Sequence, residues 1–323
     1  MKPVSYMAMV LCAILLLTGC SSGVANKDVN ETVQSETEPF TRSTRIEDVI
    51  HAPAFDGFGR LLFPTDDYYY SGDTLEELQL TYYSHIDPDE TLEIVNTLRE
   101  RAADGQTIFY DIYTDEEKAA DPAKEDTGLF FFKGIPGEKF AICNAGGAFA
   151  YVGAMQDSFP HALELSKKGY NAFALIYRPG AQTACEDLAR AIRFIFDHAD
   201  ELEVDTDCYS LWGGSAGARM AAWLGSYGAE AFGGGNLPRP GAVIMQYTGL
   251  SEYSESDPPM PVSATGTASP AGGSCRRGSK PCSRPGSIRS FMCIPVWGTA
   301  LDLGLEPAPK AGSMMPLPFG NSK

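Results

Sequence analysis

Leu211-Trp212-Gly213-Gly214-Ser215-Ala216-Gly217-Ala218-Arg219 is the stretch whose reading decides the fold. Upstream of it, Cys208 to Trp212 is short, mostly apolar and bounded by Asp205 and Asp207, as a buried strand should be. Downstream, Ala216 to Gly225 is rich in Ala, Met and Leu, residues that favour helix. Between the two the chain must turn tightly around one serine. In a Gly-x-Ser-x-Gly turn of this kind the serine takes a strained backbone conformation, and Gly213 and Gly217 leave room for the neighbouring strand and helix. The Ser215 hydroxyl is then pushed into the open at a helix N-terminus, where the dipole favours developing negative charge. The bare pattern also fits a Gly-rich turn with no task. The strand before it, the helix after it and a second motif upstream favour a nucleophile elbow.

Working outward, the pattern becomes globular from Ile46. Asp87 reads as the N-cap of a helix with Pro88 at its first position and Glu90 closing a capping box. Leu92, Val95 and Leu98 supply its apolar face. Thr107 to Tyr113, Leu129 to Phe132, Lys139 to Cys143, Asn171 to Tyr177 and Ala242 to Gln246 are strand-like. His161 to Lys168 and Thr183 to Ala199 are helical. Strands alternating with helices of this length predict an α/β fold, a mostly parallel sheet with helices on both faces. Sites in such sheets form beyond the carboxyl ends of the strands, where both motifs fall.

The second motif is Asn144-Ala145-Gly146-Gly147-Ala148-Phe149. With Gly213 to Gly217 it makes residues 58–261 resemble the α/β-hydrolase fold of the esterase and lipase group, near its acetyl-xylan-esterase-like and hormone-sensitive-lipase-like members. Aligned on Phe149, the family's His-Gly-Gly-Gly turn matches Gly146, Gly147 and Ala148, while its histidine position falls on Ala145. The resemblance implies Ser215 as nucleophile, with an oxyanion hole built from the N–H groups of Gly147, Ala148 and Ala216. Small residues suit that task, because a larger side chain would bar a carbonyl oxygen from the backbone. Hydrolysis of acetylated carbohydrate or other small esters, without cofactor or metal, is carried by the resemblance alone.

The chain departs from the family after Ser215. The family's triad runs Ser, acid, His, so the base must follow the serine. The histidines, His51, His85, His161 and His198, all precede it, and His198 reads as a cation at a helix C-terminus. The acids that follow (Glu230, Glu252, Glu255, Asp257, Asp302 and Glu306) have no family-like context. Without an imidazole, the serine hydroxyl has no group to take its proton. Composition also shifts near Pro261: Val262 to Gly286 is almost wholly Ser, Gly, Ala, Thr, Pro, Arg and Cys. That stretch reads as a low-complexity tail, or as a chain out of frame. Taking the third base of each codon with the first two of the next, Gly266-Thr267 gives NAC, which permits Asp, and the codons after it permit Gly-Ile-Ala-Ser-Trp-Arg. At Trp297-Gly298-Thr299 the same offset forces GGG and then NAC, compatible with a His-Gly-Phe loop, and a final amphipathic helix can follow. One offset restoring both lost triad members favours a frameshift near Val262.

Composition excludes some classes. A formal charge of -17 over 323 residues argues against nucleic acid as partner, since phosphate contacts need clustered Lys and Arg. Of eight cysteines, Cys143, Cys185 and Cys208 lie in predicted elements and read as buried free thiols, and no metal-type spacing occurs. Residues 1–19 read as a signal segment, with Lys2 before an apolar run from Val4 to Leu17. Leu17-Thr18-Gly19-Cys20 resembles the bacterial lipoprotein cleavage box, which implies lipidation at Cys20 and an extracytoplasmic, membrane-anchored protein. An ordinary signal peptide or an N-terminal anchor are the alternatives. Residues 20–45 read as a disordered polar tether, 46–261 as an incomplete hydrolase-like domain that lacks its last strand and helix, and 262–323 as the aberrant, low-complexity tail. From another class, a non-catalytic binding lipoprotein that kept the fold fits the missing base. Labelling with a fatty acid should tag the protein, and Cys20→Ala should abolish the tag; labelling that survives the substitution refutes the anchor.

Overall fold

The computed structural model describes residues 38–83, 86–247 and 258, and the backbone of Val262–Ser263. The signal, Cys20, most of the tether, His85 and nearly all of the tail lie outside these residues. Among the described residues, seven strands form the main sheet: β1 (Phe109–Tyr110), β2 (Gly128–Phe132), β3 (Lys139–Asn144), β4 (Asn171–Ile176), β5 (Asp205–Gly214), β6 (Ala242–Gln246) and β7 (Val262–Ser263). Their order is β1-β2-β4-β3-β5-β6-β7. From β4 across to β7 every pairing is parallel, which is the mostly parallel sheet the sequence predicts. The β1–β2 and β2–β4 pairings are antiparallel and depart from it.

Near-continuous apolar runs are what a strand covered on both faces requires. β2 and β4 are buried at every position, and Phe131 stacks on its register partner Phe173 with centroids 4.4 Å apart. β1 is shorter than Thr107 to Tyr113 suggests. Its chain leaves the sheet because Tyr113 turns inward, its hydroxyl donating to Asp187 Oδ1 at 2.6 Å, while the Ile112 carbonyl accepts from Arg190 Nε at 2.6 Å.

The flanking helices are α1 (Pro88–Ala103), α2 (Ser158–Lys167), α3 (Ala181–Asp197) and α4 (Ala216–Tyr227). α2 packs against β3 and β4, α4 against β5 and β6, and α3 alongside α4. Asp87 caps α1 by accepting the Asp89 N–H at 2.9 Å; the reciprocal Glu90 bond of a capping box is not formed. Packed structure begins before Ile46, in a unit starting at Pro39. Phe40 is buried against Phe55, and its N–H and carbonyl pair with the Asn96 side chain at 2.8 and 3.0 Å. Residues 39–45 thus belong to the body, because one aromatic ring and a two-way amide bond outweigh their polar composition. Cys143 and Cys185 are buried free thiols as expected, whereas Cys208 is disulfide-bonded. Among the described residues, no helix is long and apolar enough to cross a membrane.

One buried ionic network fixes the corner after β4. Asp187, fully buried on α3, accepts the Arg178 backbone N–H at 2.8 Å and its guanidinium at 2.8 Å, besides the Tyr113 hydroxyl. Asp121 takes the opposite edge of the guanidinium at 2.7 Å. Removing one partner leaves a charge in the interior with nothing to balance it. Asp187→Ala should therefore lower unfolding free energy by about 3–5 kcal/mol, read from urea denaturation; a loss under about 1 kcal/mol would place the network effectively in solvent.

Candidate active site

The elbow forms as its glycines require. Ser215 adopts φ 49° and ψ -111°, a region that costs a residue with a side chain, and stands at the N-cap of α4, half-buried. A Cβ on Gly213 would overlap the Gly217 carbonyl group and lie 2.6 Å from Ala218 N. One on Gly217 would overlap the Asn144 carbonyl oxygen and lie 2.7 Å from that of Ala145. Only bare backbone lets α4 seat against the end of β3. The Ser215 N–H is tied to the Gln246 carbonyl at the end of β6 at 3.1 Å.

The second motif lies beside it. Gly213 pairs in register with Asn144, so the chain leaving β3 emerges next to the elbow. A Cβ on Gly146 would lie 3.1 Å from Ser215 Cβ. Gly147, Ala148 and Phe149 follow at φ 134°, 57° and 59°, a turn that directs successive N–H groups away from secondary structure. Among the described residues, no hydrogen bond occupies the N–H of Gly147, Ala148 or Ala216. The turn is braced on its flanks: the Tyr177 hydroxyl donates to the Ala145 carbonyl at 2.7 Å, and Gly180 N–H to that of Phe149 at 2.8 Å. The Phe149 ring also stacks on Trp223 of α4, centroids 6.1 Å apart. Ser215, Gly147, Ala148 and Ala216 are thus brought together on adjoining turns.

No base joins them. Among the described residues, no imidazole hydrogen-bonds to the Ser215 hydroxyl. His51 is exposed beside Glu47, and His198 at the end of α3 pairs with Glu201 at 3.1 Å. His161 bonds to Gln246, whose carbonyl holds the Ser215 N–H, but both its nitrogens are engaged: Nδ1 donates to the Asp157 carbonyl and Nε2 accepts from the Gln246 amide at 2.9 Å. Acids at Glu252 and Glu255, Asp257, Asp302 and Glu306 lie outside the described residues. No group of three or more His, Cys, Asp or Glu side chains among the described residues could hold a metal ion.

What the sequence reading missed is Asp157. It occupies the N-cap position of α2, yet its side chain makes no cap bond. Oδ2 instead accepts the Gly146 N–H at 2.7 Å, the Tyr83 hydroxyl at 3.3 Å and the Tyr247 hydroxyl. Burial raises its pKa above the ordinary carboxylate range; His161, Tyr247, Gly146 and Tyr83 pull the other way without cancelling it. A spacing of four to His161 was the available signal, but it reads equally as a surface pair on a helix.

Because the folded protein favours the neutral acid, the stability Asp157 contributes is complete below the unfolded carboxyl range and is lost as pH rises through the raised folded value. Asp157→Asn keeps an acceptor but cannot ionise. Its stability relative to the unsubstituted protein should therefore increase from about pH 4 toward neutrality, followed by urea midpoints across that range. A difference independent of pH would mean that Asp157 titrates normally.

Residues 138–237, which contain both turns, match the BD-FAE family model. Among solved structures, the chain is similar to MGS-M1, an alpha/beta hydrolase enzyme from a Medee basin deep-sea metagenome library (23% identity, 42% of this chain and 62% of that one, TM-score 0.35). It is also similar to Thermogutta terrifontis esterase 2 phosphonylated by cyclosarin (20% identity, 42% and 64%, TM-score 0.35). The native form of that thermophilic esterase gives 24% identity over 38% and 49% of the two chains, TM-score 0.34. The chain thus spans less than two thirds of the length of each of these structures. No curated protein matches it. The residues matched by the family model run from β3 to beyond α4 of the mostly parallel, helix-flanked sheet and include both turns.

Proposed function

We propose that this protein derives from a serine carboxylester hydrolase acting outside the cytoplasm and held to a membrane by lipid at Cys20. The observation that carries the reading is Ser215 at φ 49°, set beside a turn in which, among the described residues, no hydrogen bond occupies the Gly147 and Ala148 N–H groups. In the reaction, Ser215 Oγ attacks the ester carbonyl and forms the acyl bond while the alcohol leaves with a proton. The amides of Gly147, Ala148 and Ala216 hold the negative oxygen of the tetrahedral intermediate. Water then attacks the acyl carbon, and the acid departs as Ser215 recovers its proton. No cofactor takes part.

Acetylated carbohydrate is the favoured substrate class, and a cluster of tyrosines beside the oxyanion turn supports it. The Tyr151 ring stacks with Tyr69 and Tyr82 at 4.7 and 6.2 Å, and Tyr68 and Tyr82 are exposed. Such rings offer flat apolar faces with polar edges, which suit a sugar ring. The base and the triad acid belong, on this reading, to the frame hidden from Val262 onward. A second reading, a binding lipoprotein that retains the fold, is favoured by His161, whose nitrogens are both committed elsewhere.

Expressing the chain as it stands beside one with the hidden frame restored separates these readings. As it stands, the protein should hydrolyse p-nitrophenyl acetate barely above background, because loss of triad members costs about 10⁴ to 10⁶ in rate. The restored frame should be active, lose activity with Ser215→Ala, and slow as pH falls through the histidine range. Full activity in the chain as it stands would refute the frameshift, and a folded but inactive restored chain would favour the binding protein.

A further inference from the structure

Asp157 is a fully buried carboxyl placed where four segments meet. From the turn after β3 comes the Gly146 N–H at 2.7 Å; from the chain leaving β6 comes the Tyr247 hydroxyl; from the segment before α1 comes the Tyr83 hydroxyl at 3.3 Å. The elbow itself closes the fourth side, since a Cβ on Gly214 would lie 2.5 Å from Oδ2. Tyr83 also packs over the turn, its hydroxyl 3.0 Å from where a Gly146 Cβ would stand and its ring 2.6 Å from that of Gly153. An aspartate at an N-cap ordinarily accepts from its own helix. Here that bond is forgone and the carboxyl faces the turn instead.

We propose that Asp157 is the positioning residue of the oxyanion turn: by accepting the Gly146 N–H it fixes where the next two amides, those of Gly147 and Ala148, stand relative to Ser215. The inference rests on the reading of the site as an ester hydrolase. All three donors converge on Oδ2, and Oδ1 is 3.7 Å from His161 Nδ1, whose proton is already given to the Asp157 carbonyl. Asp157 touches no reacting atom. It acts through the turn, as supporting groups do when they hold catalytic dipoles in place before the reaction begins.

The test uses the chain as it stands and its restored-frame counterpart. In the former, the Gly146 amide resonance should lie downfield and move upfield in Asp157→Ala but not in Asp157→Asn. In the latter, Asp157→Ala should lower kcat on p-nitrophenyl acetate at least tenfold with KM changed less than twofold, and Asp157→Asn should recover most of the lost kcat. Cooperative unfolding of each variant, followed by circular dichroism, separates this from loss of fold. A Ser215-dependent rate that Asp157→Ala leaves unchanged overturns the inference while the hydrolase reading stands. An Asp157→Asn variant as slow as Asp157→Ala overturns the acceptor role, and absence of any Ser215-dependent rate in either frame overturns the hydrolase reading itself.

Discussion

Everything at this site depends on one contact of backbone with backbone. Gly217 on the first turn of α4 lies against the carbonyl groups of Asn144 and Ala145, and Gly213 lies against Gly217 and Ala218. Those approaches leave no space for a single methyl group, and interiors packed this closely cannot absorb one without moving an element. The contact seats a helix N-terminus directly over the ends of two neighbouring parallel strands. It therefore puts the Ala216 amide, the Ser215 side chain and the Gly146 turn in one place, with the α4 dipole pointing at it. Parallel strands supply the rest of the alignment, because Asn144, Gly213 and Met245 stand in register and the loops that follow all open on the same edge.

Strain is concentrated where chemistry is proposed. Ser215, Ala148, Phe149 and Tyr247 all have positive φ without being glycine, each costing about 1–3 kcal/mol. Such conformations persist only where the surroundings over-determine them. Here the Phe149 ring is held by Trp223, the Ala145 carbonyl by Tyr177, the Phe149 carbonyl by Gly180 and the Ser215 N–H by Gln246. The Arg178–Asp187 network braces the same corner from below, since Gly180 follows Arg178 by two residues. The two buried carboxyls work differently. Asp187 faces a guanidinium that balances its charge, whereas Asp157 has only uncharged hydroxyl and amide donors on Oδ2, and these offset but do not cancel the effect of burial on its pKa.

The chain carries a tight strand–turn–helix around Ser215 and, among its described residues, no imidazole hydrogen-bonded to that serine. His161 illustrates why proximity alone does not make a general base. Its ring reaches Gln246, the residue whose carbonyl holds the Ser215 N–H, but one nitrogen must donate to a carbonyl and the other accepts an amide, so neither is available for a serine proton.

The sequence by itself determined the strand–turn–helix around Ser215, the glycines at Gly213, Gly146, Gly147 and Gly217, and the alternation that makes the sheet. Those features are local: apolar runs, helix-forming composition and residues without side chains state their own requirements within a few positions. It misjudged what depends on partners far along the chain. Phe40 is surrounded by polar residues and looked like tether, but Phe55 and Asn96 bury it. Thr107 to Tyr113 has strand composition, yet Tyr113 is drawn off the sheet by a carboxyl on α3. Asp157 stands out in no local pattern of the sequence, and only the fold brings the donors of Gly146, Tyr83 and Tyr247 to its one oxygen. Local propensity is written in neighbouring residues; a buried hydrogen-bond acceptor takes its meaning from whichever donors the tertiary structure delivers.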